Sequence, residues 1–424
     1  MKNAILSIVF YTCATTVSLG QVNGEILNNL AFGRYATALE LINQEDDTPV
    51  LLQYKAMAFE GLNMYDSAIS CYTKLLQFDE RWAQVGLARC YENNGNPSEA
   101  IKIYVQVLSY DSLNTSAIIR YANLLRNCSL HGKALPQYLK LVDIDSTNFS
   151  YWEMLGDQYK KMGMEIEATT AYYRSYSLNA KNLAVATKYF NQQLRSNIPL
   201  QFIYENILDA YKIDSTYLPI LMLKGKVESD MKSYKKAEES FTKIASLGDS
   251  SFFTLKNLAV AKHLNGSYLE AEKLFSMAYE IDSTDYFLNF AYAKTLNNVG
   301  ERTLALEIIS KTIEMLYPPN QVIASFYELI GDIYSSGNQI DLAEQHYLLA
   351  LEKDKNNELT YLNKVIWCKL NTHNFREADR LVSKYDSIVN GKYANDSNAL
   401  KDEKRKINYY KHLIKNERFF NDDL

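Results

Sequence analysis

The sequence predicts an all-α protein built from a repeated pair of antiparallel helices. Alanine recurs at intervals close to 34 residues along most of the chain, and such a period is typical of stacked helical repeats. Helix-breaking residues are few, with 16 glycines and 7 prolines among 424 residues. Hydrophobic residues make up 47% of the chain, so there is enough apolar surface to bury a core, and wholesale disorder is excluded.

The recurring alanine is placed in the second helix of each unit. The series, with the first unit abbreviated, is Ala38, Ala68, Ala100, Ala134, Ala168, Ala237, Ala271, Ala305, Ala343 and Ala378. The interval of 69 residues between Ala168 and Ala237 is twice a repeat, which predicts a degenerate unit with Phe202 at the alanine position. The count is therefore about eleven units.

Two distant segments share one pattern of large, small and aromatic residues. Trp152 and Gly156 stand at the same distances before Ala168 as Tyr327 and Gly331 stand before Ala343. This pattern resembles the tetratricopeptide repeat (TPR). The resemblance implies a right-handed superhelical solenoid (α-α superhelix), in which the first helix of each unit lines a concave binding face. The residues assigned to packing between helices are Ala68, Ala100, Ala134, Trp152, Gly156, Ala168, Ala237, Ala271, Ala305, Gly331, Ala343 and Ala378.

The N-terminus has the layout of a cleavable secretory signal over residues 1–20. A short positive start, Met1-Lys2-Asn3, precedes an apolar stretch, and small residues precede Gln21. A lipid anchor on Cys13 is the minor alternative, because the residues before it are bulky. We therefore expect an exported protein of the periplasm or cell envelope, with no transmembrane segment in the mature chain.

Breaks in the repeat divide the mature chain into five predicted parts. An N-terminal array at 21–182 is followed by the degenerate repeat at 183–217, which contains Pro199 and is a candidate hinge. A central array spans 218–317, and the insertion Pro318-Pro319 opens the C-terminal units at 318–390. Residues 391–424 are predicted to form a loop followed by an amphipathic helix that caps the solenoid.

The sequence shows no arrangement that points to catalysis, a cofactor or a metal site. The net charge of −5 carries no basic footprint for nucleic acid. The five histidines are far apart, and phosphate-binding and nucleophile-elbow motifs are absent. Ser240-Phe241-Thr242-Lys243 has the Ser-x-x-Lys spacing of penicillin-binding enzymes but falls inside a repeat helix. We therefore expect no enzyme activity.

Two covalent modifications stay open at this point. Cys71 and Cys90 lie on neighbouring predicted helices, and an oxidising compartment permits a bridge between them. Asp-Ser/Thr steps resemble a bacterial O-glycosylation motif, although the same residues are good turn and cap formers. The serines concerned are Ser67, Ser112, Ser146, Ser215, Ser283 and Ser387.

Binding is predicted on the first helices, on the side that points away from the packing positions. The groove candidates are Trp82, Arg89, Asn123, Arg126, Asp157, Lys188, Lys226, Phe253, Phe290, Lys294, Asp332 and Trp367. The leading hypothesis is a scaffold or adaptor for a protein or peptide partner. The alternatives are an envelope-assembly subunit peripherally associated with a membrane complex, and a glycan-binding sensor that uses Trp82 and Trp367.

Overall fold

The computed structural model describes residues 24–44, 47–78, 82–196, 198–394 and 396–421, and all regular structure in these ranges is helical. The predicted signal segment at 1–20 and Cys13 lie outside the described residues. The chain divides into two compact units, Met1–Ile198 and Pro199–Leu424. The boundary between them falls inside the degenerate repeat at 183–217, so the first helix of that repeat belongs to one unit and the second helix to the other.

The first unit contains five helix pairs and one further helix. Its helices are α1 (24–31), α2 (Tyr35–Ile42), α3 (Pro49–Gly61), α4 (Tyr65–Gln77), α5 (Ala83–Asn93), α6 (Pro97–Tyr110), α7 (Thr115–Asn127), α8 (His131–Ile144), α9 (Phe149–Lys161), α10 (Glu165–Leu178) and α11 (Leu183–Gln193). From α2 onward, each helix packs against the next one in the chain. This is the packing expected of stacked antiparallel pairs.

The second unit repeats the arrangement, with one helix, five pairs and a terminal helix. Its helices are α12 (Leu200–Ile213), α13 (Leu218–Asp230), α14 (Tyr234–Ser246), α15 (Phe252–Leu264), α16 (Tyr268–Ile281), α17 (Tyr286–Val299), α18 (Arg302–Leu316), α19 (Asn320–Ser336), α20 (Ile340–Lys353), α21 (Glu358–Asn371), α22 (Phe375–Lys392) and α23 (Ser397–Asn421). A short 3₁₀ helix, Lys355–Asn357, precedes α21. Over the described residues the two units contain ten helix pairs, the single helices α11 and α12 on either side of the unit boundary, and a terminal helix, where the sequence predicts about eleven repeat units.

The tight turn inside each pair depends on a residue in the left-handed backbone region. Between α9 and α10 this residue is Gly163, with φ of 73°, and between α7 and α8 it is Ser129, with φ of 60°. The Met164 amide donates to the carbonyl of Tyr159 at 3.0 Å, which closes the end of α9. Such a turn reverses the chain in three residues, so the two helices must run antiparallel.

The connection from one pair to the next uses aspartate as a turn former. Asp145 accepts hydrogen bonds from the Thr147 hydroxyl at 2.7 Å and the Thr147 amide at 2.9 Å, and these bonds lower the pKa of Asp145. The same geometry recurs at Asp214 with Thr216 and at Asp282 with Thr284. The Asp-Ser-Thr steps therefore serve as turn chemistry between repeats.

The helix spacing is set by small residues facing aromatic rings. The ten recurring alanines are all fully buried. A Cβ atom on Gly156 would lie 2.7 Å from the ring of Tyr172, and one on Gly331 would lie 2.4 Å from the ring of Tyr347. Glycine at these two positions lets the first helix approach the second closely enough for the ring to be buried between them.

Two sequence expectations about local register are wrong. In the degenerate repeat, Phe202 is 54% exposed and Ile203 is fully buried, so Ile203 occupies the alanine position as the fourth residue of α12. An isoleucine needs more room than an alanine, which accounts for the loss of the pattern here. The loop predicted from residue 391 is shorter than expected, because α22 continues to Lys392 and α23 begins at Ser397.

The terminal helix α23 covers the last repeat as predicted. Ile407 and Ile414 are buried against α21 and α22, in one cluster with Leu362 and Val382. On the α22 side, Asp386 pairs with Lys404 and, at 3.0 Å, with Lys411. The helix therefore buries one face and leaves a polar face outside, which is what a solenoid end requires.

Candidate functional site

The first helices of successive pairs form a layer of their own. Helix α5 contacts α7 in the first unit, and α15 contacts α17 and α17 contacts α19 in the second. Asp157, Lys226, Lys294 and Asp332 each directly follow the small residue of their first helix. We call the side of the first helices that carries these residues the first-helix face.

Two predicted groove residues in the first unit form an ion pair between successive repeats. Lys188 on α11 donates to Asp157 at 2.8 Å and to Glu153 at 2.7 Å, both on α9. Asp157 also accepts a hydrogen bond from the buried hydroxyl of Tyr172 at 2.7 Å. Burial opposes the charge on Lys188, but these carboxylates raise its pKa above the ordinary value. We call this arrangement a repeat clamp.

The second unit contains the same clamp. Lys364 on α21 bonds to Asp332 at 2.6 Å and pairs with Glu328 at 2.9 Å, and the Tyr347 hydroxyl donates to Asp332 at 2.7 Å. A related pair joins Arg89 to Glu60 at 2.6 Å. Four residues that the sequence analysis assigned to ligand binding thus form ion pairs within the protein: Arg89, Asp157, Lys188 and Asp332. Their spacing in the sequence predicts the helix face on which they lie, but it does not identify their ion-pair partners.

Two further groove candidates pack on the ring of Tyr138. Asn123 accepts a hydrogen bond from the Tyr138 hydroxyl at 2.7 Å, and the Arg126 guanidinium lies 5.7 Å from the centre of the ring. Tyr138 itself is fully buried, and burial raises its pKa to about 12. Asn123 and Arg126 therefore support the helix pair α7–α8 from its surface.

An aromatic cleft opens on the first-helix face between α17 and α19. It has a volume of about 290 Å³ and is lined by Tyr286, Phe287, Phe290, Val322 and Phe326, with the polar residues Gln321 and Ser325. Phe326 is buried, and its ring stacks on that of Phe290 with 5.7 Å between centroids. Phe287 is 63% exposed, which is a large apolar surface to leave in water. We call these seven residues the aromatic cleft.

Two exposed lysines lie on the same face of the second unit. Lys226 on α13 and Lys294 on α17 are exposed, and neither is in an ion pair within the ranges that the structure describes. Lys294 is one helical turn from Phe290, so the two side chains are neighbours. Burial and the charge of Lys294 lower the pKa of His263 on α15, so His263 is neutral near pH 7 and does not add to this positive charge.

The predicted aromatic candidates are distributed over both units. Trp82, at the N-cap of α5, belongs to the first unit, and Trp367 belongs to the second. Trp367 is 41% exposed and lies in a separate pocket of about 280 Å³ with Tyr409 and Tyr410 of the terminal helix. Phe253 is 40% exposed and packs edge-to-face on buried Phe241.

Sequence reasoning missed most of the aromatic cleft. Phe290 was selected, but Tyr286, Phe287 and Val322 were not. A signal was available for Phe287, since it precedes Phe290 by three residues and so lies on the same face of one helix. Val322 gave no such signal, because its place depends on how α19 packs against α17.

The other candidate chemistries have structural explanations. Ser240 is 3% exposed and bonds to Glu228 at 2.6 Å and to Lys224 at 2.8 Å, so it is part of a buried polar network. Cys71 and Cys90 are both free thiols in one apolar cluster. Among the described residues, no group of three or more acidic, histidine or cysteine side chains is placed to hold a metal. No helix in the same ranges is long and apolar enough to cross a membrane.

Comparison with protein-family models decides the family. Two models described as tetratricopeptide repeats match residues 85–114 and 324–357, and these segments are the helix pairs α5–α6 and α19–α20. The chain is a TPR protein. Its repeats provide the scaffold of a protein–protein interaction module. The TPR units outside the two matched segments follow from the same helix pairing and the same buried alanines.

Known proteins resemble this TPR protein over limited stretches or at low identity. A probable UDP-N-acetylglucosamine–peptide N-acetylglucosaminyltransferase SPINDLY of Hordeum vulgare is 27% identical over 154 residues, which is 35% of this chain and 16% of that protein. The matched part is thus a small fraction of the transferase. YrrB, a TPR protein with an unusual peptide-binding site, is 18% identical, with a TM-score of 0.39 over 44% of this chain and 94% of YrrB. Yeast Tom70 is 13% identical, with a TM-score of 0.37 over 94% of this chain and 96% of Tom70.

Proposed function

We propose that this TPR protein is a non-catalytic scaffold that binds a segment of a protein partner on the first-helix face, with the aromatic cleft as the main contact. The observation that carries the proposal is the exposure of Phe287 beside Phe290 at an opening between two first helices. Large aromatic side chains in a partly enclosed position are where binding energy concentrates in protein interfaces. The rigid stacking of α17 on α19 would hold the cleft open before a partner arrives.

The absence of catalysis is part of the proposal. Stacked repeats give a long surface rather than a deep reactive pocket. The motif that most resembles a nucleophile, Ser240 with Lys243, supports this proposal, because Ser240 is buried and Lys243 donates to the Tyr211 hydroxyl at 2.8 Å. The transferase activity in the name of the barley relative is not carried over, since the similarity spans 16% of that protein.

We also propose that the protein acts outside the cytoplasm, in the periplasm or cell envelope. The support is the sequence layout of residues 1–20, with its positive start, apolar stretch and small residues before Gln21. The mass of the N-terminal peptide of protein recovered from cells tests this. A chain that begins at Gln21 supports export, and a chain that begins at Met1 contradicts it.

An assembly subunit is the second candidate function, and exposed apolar residues on the second helices favour it. Ile166 is 81% exposed and Leu269 is 71% exposed, and each lies two residues before the recurring alanine of its repeat. Both therefore project from the same repeat position, away from the first-helix face. Docking of the second helices of either unit on a larger envelope complex would bury the exposed residue of that unit.

The two candidates are separated by affinity capture with matched variants. The mature chain, Phe287→Ala, and the double variant Ile166→Lys/Leu269→Lys are used as baits, and captured proteins are then produced pure and tested for direct binding. All three changed residues are exposed, so folding should be retained, and thermal melting checks this. Direct binding lost only with Phe287→Ala supports the groove scaffold, and loss only with the second-helix variant supports the assembly subunit. If the native bait binds no protein but retains oligosaccharides through Trp367, the glycan reading is favoured instead.

A further inference from the structure

The aromatic cleft is large enough for one side chain and too small for a folded partner to enter. Its volume of about 290 Å³ lies just below the range of small-molecule pockets, which is roughly 300–1,000 Å³. Four aromatic rings and one valine line it, so the group that enters should be aromatic or a large aliphatic side chain. At the same opening the Gln321 side chain offers polar atoms to the backbone that carries this side chain, whereas the Ser325 hydroxyl donates to the Gln321 carbonyl at 3.2 Å.

The charge that α15 and α17 place beside the cleft is positive and is not fully neutralised by ion pairs within the described residues. Neither α15 nor α17 contains an aspartate or glutamate. Of their three lysines, Lys256 pairs with Asp285 and Lys262 pairs with Glu238, whereas Lys294 has no ion pair there. An exposed cation without a partner, next to an apolar opening, is complementary to a carboxylate.

The contrast with the repeat clamps strengthens this interpretation. Lys294 directly follows the small residue Ala293, and the equivalent positions after Gly156 and Gly331 are occupied by Asp157 and Asp332. In those repeats the charge is neutralised by a lysine of the next repeat. At α17 the sign of the charge is reversed, and the structure shows no ion pair for Lys294 within the ranges it describes. The position is therefore free to take its counter-charge from another molecule.

The spacing along α17 fixes the spacing in the ligand. Phe287, Phe290 and Lys294 lie on one face, and the seven residue steps from Phe287 to Lys294 rise about 10 Å along the helix. An extended chain covers about 3.3 Å per residue, so about three peptide residues span that distance. The reach of the lysine side chain widens the range by about one residue each way.

We infer that the aromatic cleft and Lys294 together bind an extended peptide segment in which a large apolar side chain is separated by about two to four residues from an aspartate or glutamate. The apolar side chain enters between Phe287 and Phe326, and the carboxylate pairs with Lys294. This inference rests on the proposed function of the first-helix face and adds the chemistry of the segment that it takes. A partner recognised in this way presents a flexible acidic stretch rather than a folded surface.

Selection of random linear peptides on the full mature chain tests the inference. We expect selected peptides to share an apolar residue and an acidic residue at this spacing, and to lose binding to Phe287→Ala. Lys294→Glu should weaken the acidic peptides about tenfold or more, because a favourable pair is replaced by a repulsive one. Repeating the selection on Lys294→Glu should enrich lysine or arginine at the former acidic position.

Lys235→Glu is the matched control, because Lys235 is exposed on the second helix α14 of the same unit and the change in net charge is identical. It should leave binding unchanged. Peptides that need Phe287 but show no acidic preference, and bind Lys294→Glu equally, would overturn the inference and leave the groove scaffold standing. Selection that yields no peptide dependent on Phe287 would instead count against both the inference and the proposed function.

Discussion

Replacing Gly156 by leucine should destabilise the first unit, because no side chain fits between α9 and α10 at this position. Even a Cβ atom would lie 2.7 Å from Cδ1 and Cε1 of Tyr172. The ring has little freedom to move, since Tyr172 is 1% exposed and its hydroxyl is bonded to Asp157 at 2.7 Å. Steric overpacking of a core costs about 1–3 kcal/mol, and we expect a loss of that size in the free energy of unfolding.

The expected loss is larger than the opposing gain in helix propensity. Glycine is less favourable than other residues inside a helix by at most about 1 kcal/mol, so leucine would stabilise an unobstructed site. Gly132 on α8 provides that comparison, because a Cβ atom there meets no atom within 4 Å. Gly132→Ala should therefore leave stability unchanged or raise it by up to about 1 kcal/mol.

Urea unfolding followed by the fluorescence of Trp152 measures the effect locally, since Trp152 lies in the same helix as Gly156. Replacing Trp82 and Trp367 by phenylalanine removes the other two tryptophans. A local probe is needed because repeat arrays need not unfold in one step. An unchanged midpoint for Gly156→Leu would refute the assignment of Gly156 and Tyr172 as packing partners. Adding Tyr172→Leu should restore part of the loss, because it removes the obstructing ring.

Three further changes test other parts of the fold. Lys188→Met should lower the free energy of unfolding of the first unit by about 1 kcal/mol. A double-mutant cycle with Asp157→Asn should show a coupling energy between the two substitutions, and additive effects would mean that the repeat clamp does not stabilise the unit. Ser129→Gly should raise stability by up to about 1 kcal/mol in urea titrations, because Ser129 has a left-handed φ of 60° that strains residues with a side chain; a loss would contradict this. Lys404 and, to a smaller extent, Lys411 lower the pKa of Asp386. At any pH above the ordinary aspartate pKa of about 4, the ion pairs therefore stabilise the docking of α23, and this stabilisation is lost as the pH falls through the lowered pKa. Asp386→Asn should therefore speed hydrogen exchange of α23 amides at neutral pH, and exchange equal to that of the native chain would show that Asp386 does not hold the helix.

The candidate site shows where sequence reasoning reached and where it stopped. The period of the repeat identified which helix face carries Lys294, Asp157 and Phe290, because side chains one turn apart share a face. It did not distinguish Asp157, whose charge is used within the protein, from Lys294, whose charge is not. That distinction depends on what the next repeat places opposite each residue, and a helical period within one repeat contains no such information.

The sequence by itself determined the class of fold, the repeat period and the small residues at which the helix pairs close. Small residues at a fixed interval are required wherever two helices approach closely, so their recurrence can be read without coordinates. Tertiary packing decided the rest. It placed Ile203 rather than Phe202 in the core of the degenerate repeat, and it brought Val322 of α19 against Phe290 of α17 to form the aromatic cleft. Both outcomes depend on how the side chains of different helices fit each other in three dimensions, and in the cleft the two residues are about thirty positions apart in the chain.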